Sequence, residues 1–268
     1  MAHIITSKTD PFFSTLTIGE VEPRRAVQRL ASGTAAAILW PSLLDRSLCV
    51  SLTESVSADR FAPYDEARLS PAILKFGPAL YDHYVDGQVT SGYWQAAERA
   101  KELWNSVVGD ADPVAIIQER LTQELSVPVR PATYRGRELF VGILREFSQG
   151  SLIHFDEVSR EFAGKLDDEP IVQLAFNCHL QTPEDGGELV VWRHRWVPSD
   201  DEHRDGYGWT ESAVRTSPDV TVHAGVGDAV LFDCRNFHRV GTPHGEKRRI
   251  TLSFFAGFTM AGELLLWS

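Results

Sequence analysis

Ile171-Val-Gln-Leu-Ala-Phe-Asn-Cys-His-Leu180 alternates without a break, with Val172, Leu174, Phe176 and Cys178 on one side of an extended chain and Gln173, Ala175, Asn177 and His179 on the other. Side chains of a strand point alternately to its two faces, so period two over this length predicts a strand with one apolar and one polar face. A polar face of this kind either lines a cavity, where it hydrogen-bonds a cofactor or substrate, or faces solvent. Arg249-Ile-Thr-Leu-Ser-Phe-Phe255 repeats the pattern, with Arg249, Thr251, Ser253 and Phe255 opposite Ile250, Leu252 and Phe254.

Working outward, further strands are expected over 138–147, 151–155, 188–192, 219–223, 229–233 and 237–240, with the second run reaching Phe258. Turn signals separate them: Gln149-Gly150, Glu184-Asp-Gly-Gly187, Gly225-Val-Gly-Asp228 and Pro243-His-Gly-Glu246. Short strands at this spacing fit a two-sheet jelly roll. The polar stretch Val197–Ser217 is too long for a tight turn and is a candidate active-site loop. Residues before about 125 carry helical patterns instead. Pro41–Leu52 has apolar residues near helical spacing, and Tyr93–Trp104 puts them on one face with Gly109 as a stop. Asp112-Pro113 caps a helix running to Leu125. The expected fold is α+β and mainly β: a single domain over 1–268, with helices of a mainly helical 1–128 part packed outside a jelly-roll core over 129–260.

The chain has 268 residues, and a hydrophobic fraction of 43% places it among globular rather than disordered proteins. Its longest apolar run, Thr34–Trp40, is stopped by Pro41, far short of the roughly 20 residues a membrane span needs. Met-Ala-His-Ile-Ile-Thr-Ser at residues 1–7 has no secretory pattern. A net charge of −11 opposes binding to nucleic acid. Cys49, Cys178 and Cys234 are too few and scattered for a disulfide framework, so a reducing, cytoplasmic setting is expected, with the chain a monomer or homodimer.

His154-Phe155-Asp156 closes the expected 151–155 strand. Residues two apart share a face, so an imidazole and a carboxylate there can meet one ion. His238, on the 237–240 strand, is the natural third ligand. Two histidines and one carboxylate on one face leave three positions open, the arrangement of non-haem Fe(II) oxygenases; a chelating 2-oxo acid and then O₂ fill them. The Arg249 fork, with Thr251 nearby, suits the distal carboxylate of 2-oxoglutarate, whereas Arg248 falls on the apolar phase. A second His-x-Asp, His203-Arg204-Asp205, sits in the polar run Ser199-Asp-Asp-Glu-His203 and reads as solvated charge.

The ordered motifs Leu144–Asp156, Pro183–Leu189, Gly227–Phe232, His238 and Arg249-Ile-Thr resemble those of 2-oxoglutarate/Fe(II) oxygenases. The likeness is greatest to the carrier-independent branch that includes the halogenases of hapalindole- and welwitindolinone-type alkaloids. It is carried by Gly186-Gly-Glu-Leu-Val-Val191, Arg195-Trp196, Arg248-Arg249, the terminal Trp-Ser and a stretch near Lys75–Tyr81 that reads as helical. The resemblance implies a double-stranded β-helix with Fe(II) at one mouth. Those halogenases carry glycine or alanine where this chain has Asp156, so the resemblance implies hydroxylation of an amino acid or alkaloid-like small molecule rather than halogenation. Desaturation or ring closure begins with the same hydrogen abstraction. A cupin-like metalloisomerase, which would not need Arg249, and a silent binding protein are the readings from other classes.

Other residues carry weaker assignments. Arg145 is either a further carboxylate ligand or half of a surface ion pair, the commoner fate of such a residue. Asn177 is placed toward the co-substrate, and Gln173, His179, Tyr81 and Phe155 toward the substrate. Tyr81, His83, Tyr84, Trp94 and Trp104 either form a lid or belong to the core. Gly186-Gly187 reads as a hairpin turn, and His223 and His244 as structural or exposed.

Overall fold

The structure, a computed structural model, describes residues 10–64, 71–108, 111–162 and 166–268. The 1–7 segment and the Gly109 helix stop lie outside the described residues. The alternating run forms the strand Val172–Gln181, and Ile250–Phe258 pairs antiparallel along almost its whole length. These two are central in a large mixed sheet. On one side follow Ala229–Phe232, Ala37–Trp40 and Thr15–Thr17; on the other follow Ile143–Glu146, Leu74–Phe76 and Ala62–Pro63. Leu264–Trp267 extends the far half of Ile250–Phe258 and pairs parallel with Val129–Pro131. A second sheet of Asp219–Val222, Leu189–Arg195 and Asn236–Val240 faces the first across the site. The jelly roll expected from the sequence is present.

The apolar faces of the two central strands turn outward. Leu174, Phe176, Leu252 and Phe254 pack with Leu30 of the helix Pro23–Ala31, Leu52 of Arg46–Ser55, Trp104 of Ser91–Val108, and Ile117 and Leu121 of Pro113–Leu125. The rings of Phe176 and Phe254 stack at 4.3 Å and 6°. Asp112 caps the last of these helices by accepting from Val114 N at 2.9 Å, and it also accepts from Trp104 Nε1 at 3.0 Å. The inner faces are polar and turn toward the smaller sheet, whose outer face (Val190, Trp192 and Phe237) is covered by Trp209, Ala213 and Val214 of the 197–217 stretch.

Several boundaries differ from the sequence reading. The helix expected from Pro41 begins at Arg46, because Asp45 caps it by accepting from Ser47 N at 2.7 Å and Ser42 takes a left-handed turn at φ 49°. The part before 128 also supplies strands, and Ala37–Trp40 is one of them. The stretch near Lys75–Tyr81 is a strand followed by a single 3-10 turn rather than a helix. Residues 151–155 form no strand; they make isolated bridges, Ile153 to Trp209 and His154 to His238. Two different partners, one residue each, hold this segment where a continuous ladder was expected. The 138–147 run is divided: Glu138 pairs with Thr133 in a small hairpin and Ile143–Glu146 joins the large sheet, with Gly142 at φ 89° breaking the extended backbone between them.

Phe176→Ala removes half of the ring stack beneath the helices and leaves a cavity in the tightest part of the core. A loss of about 3–5 kcal/mol is expected, read as a lower midpoint in urea unfolding with an unchanged slope.

Candidate functional site

His154 and His238 face each other across two reciprocal backbone hydrogen bonds, His154 N to His238 O at 2.9 Å and His238 N to His154 O at 2.8 Å. The imidazole centroids are 4.2 Å apart. Each Nδ1 lies against the carbonyl two residues earlier in its own chain: His154 with Leu152 O at 2.8 Å and His238 with Asn236 O at 3.0 Å. A carbonyl can only accept, so both Nδ1 atoms carry the proton and both Nε2 lone pairs are left for a ligand. Asp156 is fixed by its own N–H on Cys234 O at 2.8 Å, and its Oδ2 lies 3.4 Å from His238 Nε2. Ligand atoms of the three residues lie within 4.8 Å of one another, a spacing that one ion can bridge.

Burial, then the neighbouring His238, lowers His154 to about 4. Burial works against the Asp156 carboxylate, but the neighbouring His238, then His154 and Arg145, outweigh it and hold the group below the usual range. Near neutral pH the site thus offers an unprotonated imidazole nitrogen and an ionised carboxylate, the forms a metal requires. Two nitrogens and one oxygen on one face suit Fe(II), with three positions left for exchangeable ligands.

Behind the triad lies a cavity of about 40 Å³ lined by Arg145, Phe147, Asn177, His179, Val230, Val240 and Arg249 among others. Arg249 is 3% exposed and stands just before its strand. Its Nε donates to Gly187 O at 2.7 Å, and its guanidinium lies over Phe147 at 5.1 Å. Burial lowers Arg249 to about 10, with Glu188 opposing, so it stays cationic at neutral pH. Among the described residues no carboxylate pairs with it. Arg248 points the other way, ion-paired to Glu146 and lying over Phe61 at 4.7 Å. Gly187, read from the sequence as a turn marker, has a second task. At φ +70° a Cβ there would stand 2.9 Å from Arg249 Cδ, so only glycine lets the arginine lie across the turn. Asn177 Oδ1 accepts from Ser253 Oγ at 2.8 Å, and Ser253 Oγ is 2.9 Å from Thr251 Oγ1. Thr251 is wholly buried in that chain and is not on the cavity wall. His179 lines the cavity; burial, then Arg249, pushes its pKa well below the usual value.

In front of the triad is a pocket of about 150 Å³ whose walls include Tyr64, Leu80, Tyr81, Arg145, Phe147, Phe155, Glu161, Phe162, Tyr207, Phe255 and Trp267. Tyr81 and Phe155 are among the lining residues. Phe155 packs on Trp209 at 5.3 Å and Phe237 at 5.6 Å. Arg145 corrects the surface-pair reading: its strand phase aims it inward, Nε donates to the Tyr64 hydroxyl at 2.9 Å, and the guanidinium lies over Phe255 at 5.5 Å. Gln173 is also corrected, since its Oε1 accepts from Val158 N at 2.7 Å and so anchors the short helix Val158–Glu161. Of the lid candidates, Trp104 is core, Trp94 packs on Tyr93 and Tyr134, and Tyr84 packs edge-on to Phe162 at 4.5 Å. His203-Arg204-Asp205 closes a 3-10 turn and opens a small hairpin, and it is not part of the triad's ligand set. His223 and His244 line a separate polar cleft.

Tyr64, Glu161 and Tyr207 escaped the sequence reading. Tyr207 accepts from Leu152 N at 2.8 Å and places the 197–217 stretch against the His154 segment. Glu161 lines the pocket, and desolvation, then the charge of Asp156, raises its carboxyl to about 8. Among the described residues no helix is long and apolar enough to cross a membrane.

Residues 164–268 match the family described as carrier-protein-independent halogenase WelO5. The chain is 38% identical over 248 residues to L-gamma-glutamyl-L-propargylglycine hydroxylase of Streptantibioticus cattleyicolor, which spans 91% of this chain and 92% of that one. It is 29% identical over 194 residues to leucinostatins biosynthesis cluster protein S of Purpureocillium lilacinum, covering 66% and 79% respectively. An N-substituted L-amino acid dioxygenase from Burkholderia ambifaria, solved with alpha-ketoglutarate, superposes with a TM-score of 0.59 at 15% identity over 91% of each chain and shares the fold. The chain belongs to the 2-oxoglutarate/Fe(II)-dependent oxygenases. Within that class it is a dioxygenase of the hydroxylase kind, using Fe(II), 2-oxoglutarate and O₂. The halogenase match begins after Asp156 and so does not include the position on which the two outcomes turn.

Two outcomes test the site. Alanine at His154, Asp156 or His238 should each lower Fe(II) content after anaerobic loading by at least about tenfold, while far-UV circular dichroism stays unchanged. For His179, the folded state resists a proton that the unfolded chain accepts near pH 6.5. Its contribution is therefore full above that pH and is lost as pH falls below it. In metal-free protein, His179→Gln should flatten the fall in unfolding free energy between pH 7.5 and 5.5 by about 1.4 kcal/mol.

Proposed function

We propose that the chain hydroxylates an unactivated C–H bond of a free amino-acid derivative in specialised metabolism, with Arg249 gripping the distal carboxylate of 2-oxoglutarate. The observation that carries this reading is a buried cationic guanidinium, without a carboxylate partner among the described residues, on the small cavity that also touches His154, Asp156 and His238. A buried charge left unpaired is costly, so a site that keeps one is built for an anion. The related hydroxylase named for a glutamyl dipeptide, and the fold shared with an amino acid dioxygenase, support an amino-acid-type substrate.

His154, Asp156 and His238 would hold the metal, which with bound 2-oxoglutarate would supply the activation of O₂, with succinate and CO₂ as co-products. The rest of the chemistry is positioning. Gly187 O fixes Arg249 Nε so that the two remaining guanidinium nitrogens face the cavity. The aromatic walls of the front pocket exclude water, and Phe155 and Tyr207 hold the metal segment from the substrate side. Asp156 would supply the carboxylate ligand at the position where glycine or alanine would leave room for a halide, which supports hydroxylation over halogenation. The chain acts as a single domain, as a monomer or homodimer; the three free, buried cysteines support a reducing, cytoplasmic setting.

Anaerobic addition of 2-oxoglutarate to the Fe(II) protein should produce a weak visible charge-transfer band. Arg249→Met should raise the 2-oxoglutarate concentration needed for half-saturation of that band by about 10–100-fold, the worth of a charge-assisted bidentate pair. Arg248→Met, which breaks the Glu146 pair, should leave it within about threefold. Equal effects of the two substitutions would refute the assignment of Arg249.

A further inference from the structure

Among the described residues His179 and His238 are the buried histidines, and only one of them is satisfied. His238 lies with Nδ1 against Asn236 O. His179 is 7% exposed, and among the described residues nothing hydrogen-bonds its ring. Its backbone is fully committed: its N–H donates to Asp228 O and its carbonyl accepts from Gly227 N, both at 2.8 Å. The ring is thereby held on the inner face, opposite Thr251. Burial, then the charge of Arg249, keeps the imidazole uncharged, so it offers one N–H donor and one acceptor. Burying such a ring without a partner is costly, and a cavity that keeps one is shaped for a ligand that completes it.

The place of His179 says which part of a ligand it meets. The rear cavity shares Arg145, Phe147, His154 and Asp156 with the front pocket, and these mark its metal end. It shares His179 and Val240 with the polar cleft, where Gly187 holds Arg249 Nε. Imidazole and guanidinium therefore stand together at the end away from the metal. A carboxylate there has about four acceptor positions, and the Arg249 fork fills two of them. Thr251, the hydroxyl that strand phase offered for a third, is engaged with Ser253 and lies off the wall. Resting on the reading of this cavity as the 2-oxoglutarate site, we propose that His179 donates its ring N–H to the distal carboxylate beside Arg249. It takes the place expected of Thr251, and so selects a dicarboxylic 2-oxo acid rather than touching the molecule that is oxidised.

The test uses full-length Fe(II) protein without O₂ and two probes built on the same carbon chain. These are 2-oxoglutarate and 2-oxopentanoate, which ends in a methyl group where the former ends in a carboxylate. Binding is read from half-saturation of the charge-transfer band and, independently of colour, by calorimetry. The wild type should prefer 2-oxoglutarate, and His179→Phe should shrink that preference by about tenfold or more, the worth of one hydrogen bond to a charged group. His179→Gln, which restores an N–H donor, should return the preference to within about threefold of wild type. The proposal is overturned if His179→Phe weakens both acids by one factor, the mark of a packing role, or leaves both unchanged, which would turn the ring toward the polar cleft. It is equally overturned if His179→Gln behaves as His179→Phe does. Arg249→Met separates this proposal from the reading beneath it. If that substitution removes the preference while His179→Phe does not, the His179 role alone fails; a wild type without any preference for 2-oxoglutarate ends both.

Discussion

The reciprocal hydrogen-bonded pair between His154 and His238 is the constraint on which the site depends. It joins a segment that forms no continuous strand to the edge of the smaller sheet, beside a contact of Ser151 with Val240 and the bridge of Ile153 to Trp209. Because both backbone groups of each histidine are used, neither can rotate its Cβ away from the other. Each ring is then pinned by the carbonyl two residues before it. Asp156 follows at the next same-side position, tied down separately through Cys234. Five short hydrogen bonds thus set three ligand atoms without a continuous strand beneath them.

Around that point the sheets are arranged inside out relative to a simple sandwich. The apolar faces of Val172–Gln181 and Ile250–Phe258 meet helices on the outside, and the polar faces meet the cavity. The helices before residue 128 therefore cover the largest hydrophobic surface of the barrel. Without them, Phe176 and Phe254 would face water. The inner faces, freed from supplying the main core, can hold Asn177, His179, Arg249 and Ser253.

How far the sequence could be read depended on whether a residue's surroundings were local. The two alternating strands were legible because one face of each is polar, and the phase of Arg249 against Arg248 followed from the same alternation. Ala37–Trp40 and Leu264–Trp267 were not, since each is a short apolar run without alternation that is covered on both faces, and such a run carries no period. The His154 segment looked like a strand because its spacing is that of one; its partners, Trp209 on one side and His238 on the other, lie far along the chain. Gln173 shares the inner face of its strand, yet its amide is spent on a backbone N–H fifteen residues back. Tyr64, Glu161 and Tyr207 stand alone on turns and short elements, where no periodicity marks them, and only tertiary packing gathers them at one pocket.

The preset triad has a consequence for metal economy. Its three donors are oriented by hydrogen bonds to the polypeptide, and two imidazoles with one carboxylate have no strong preference among first-row divalent ions beyond the general rise in affinity toward copper. Nickel, cobalt or zinc would seat on the same face and leave the protein folded but inert. Selection of iron then rests on metal availability more than on the affinity of His154, Asp156 and His238.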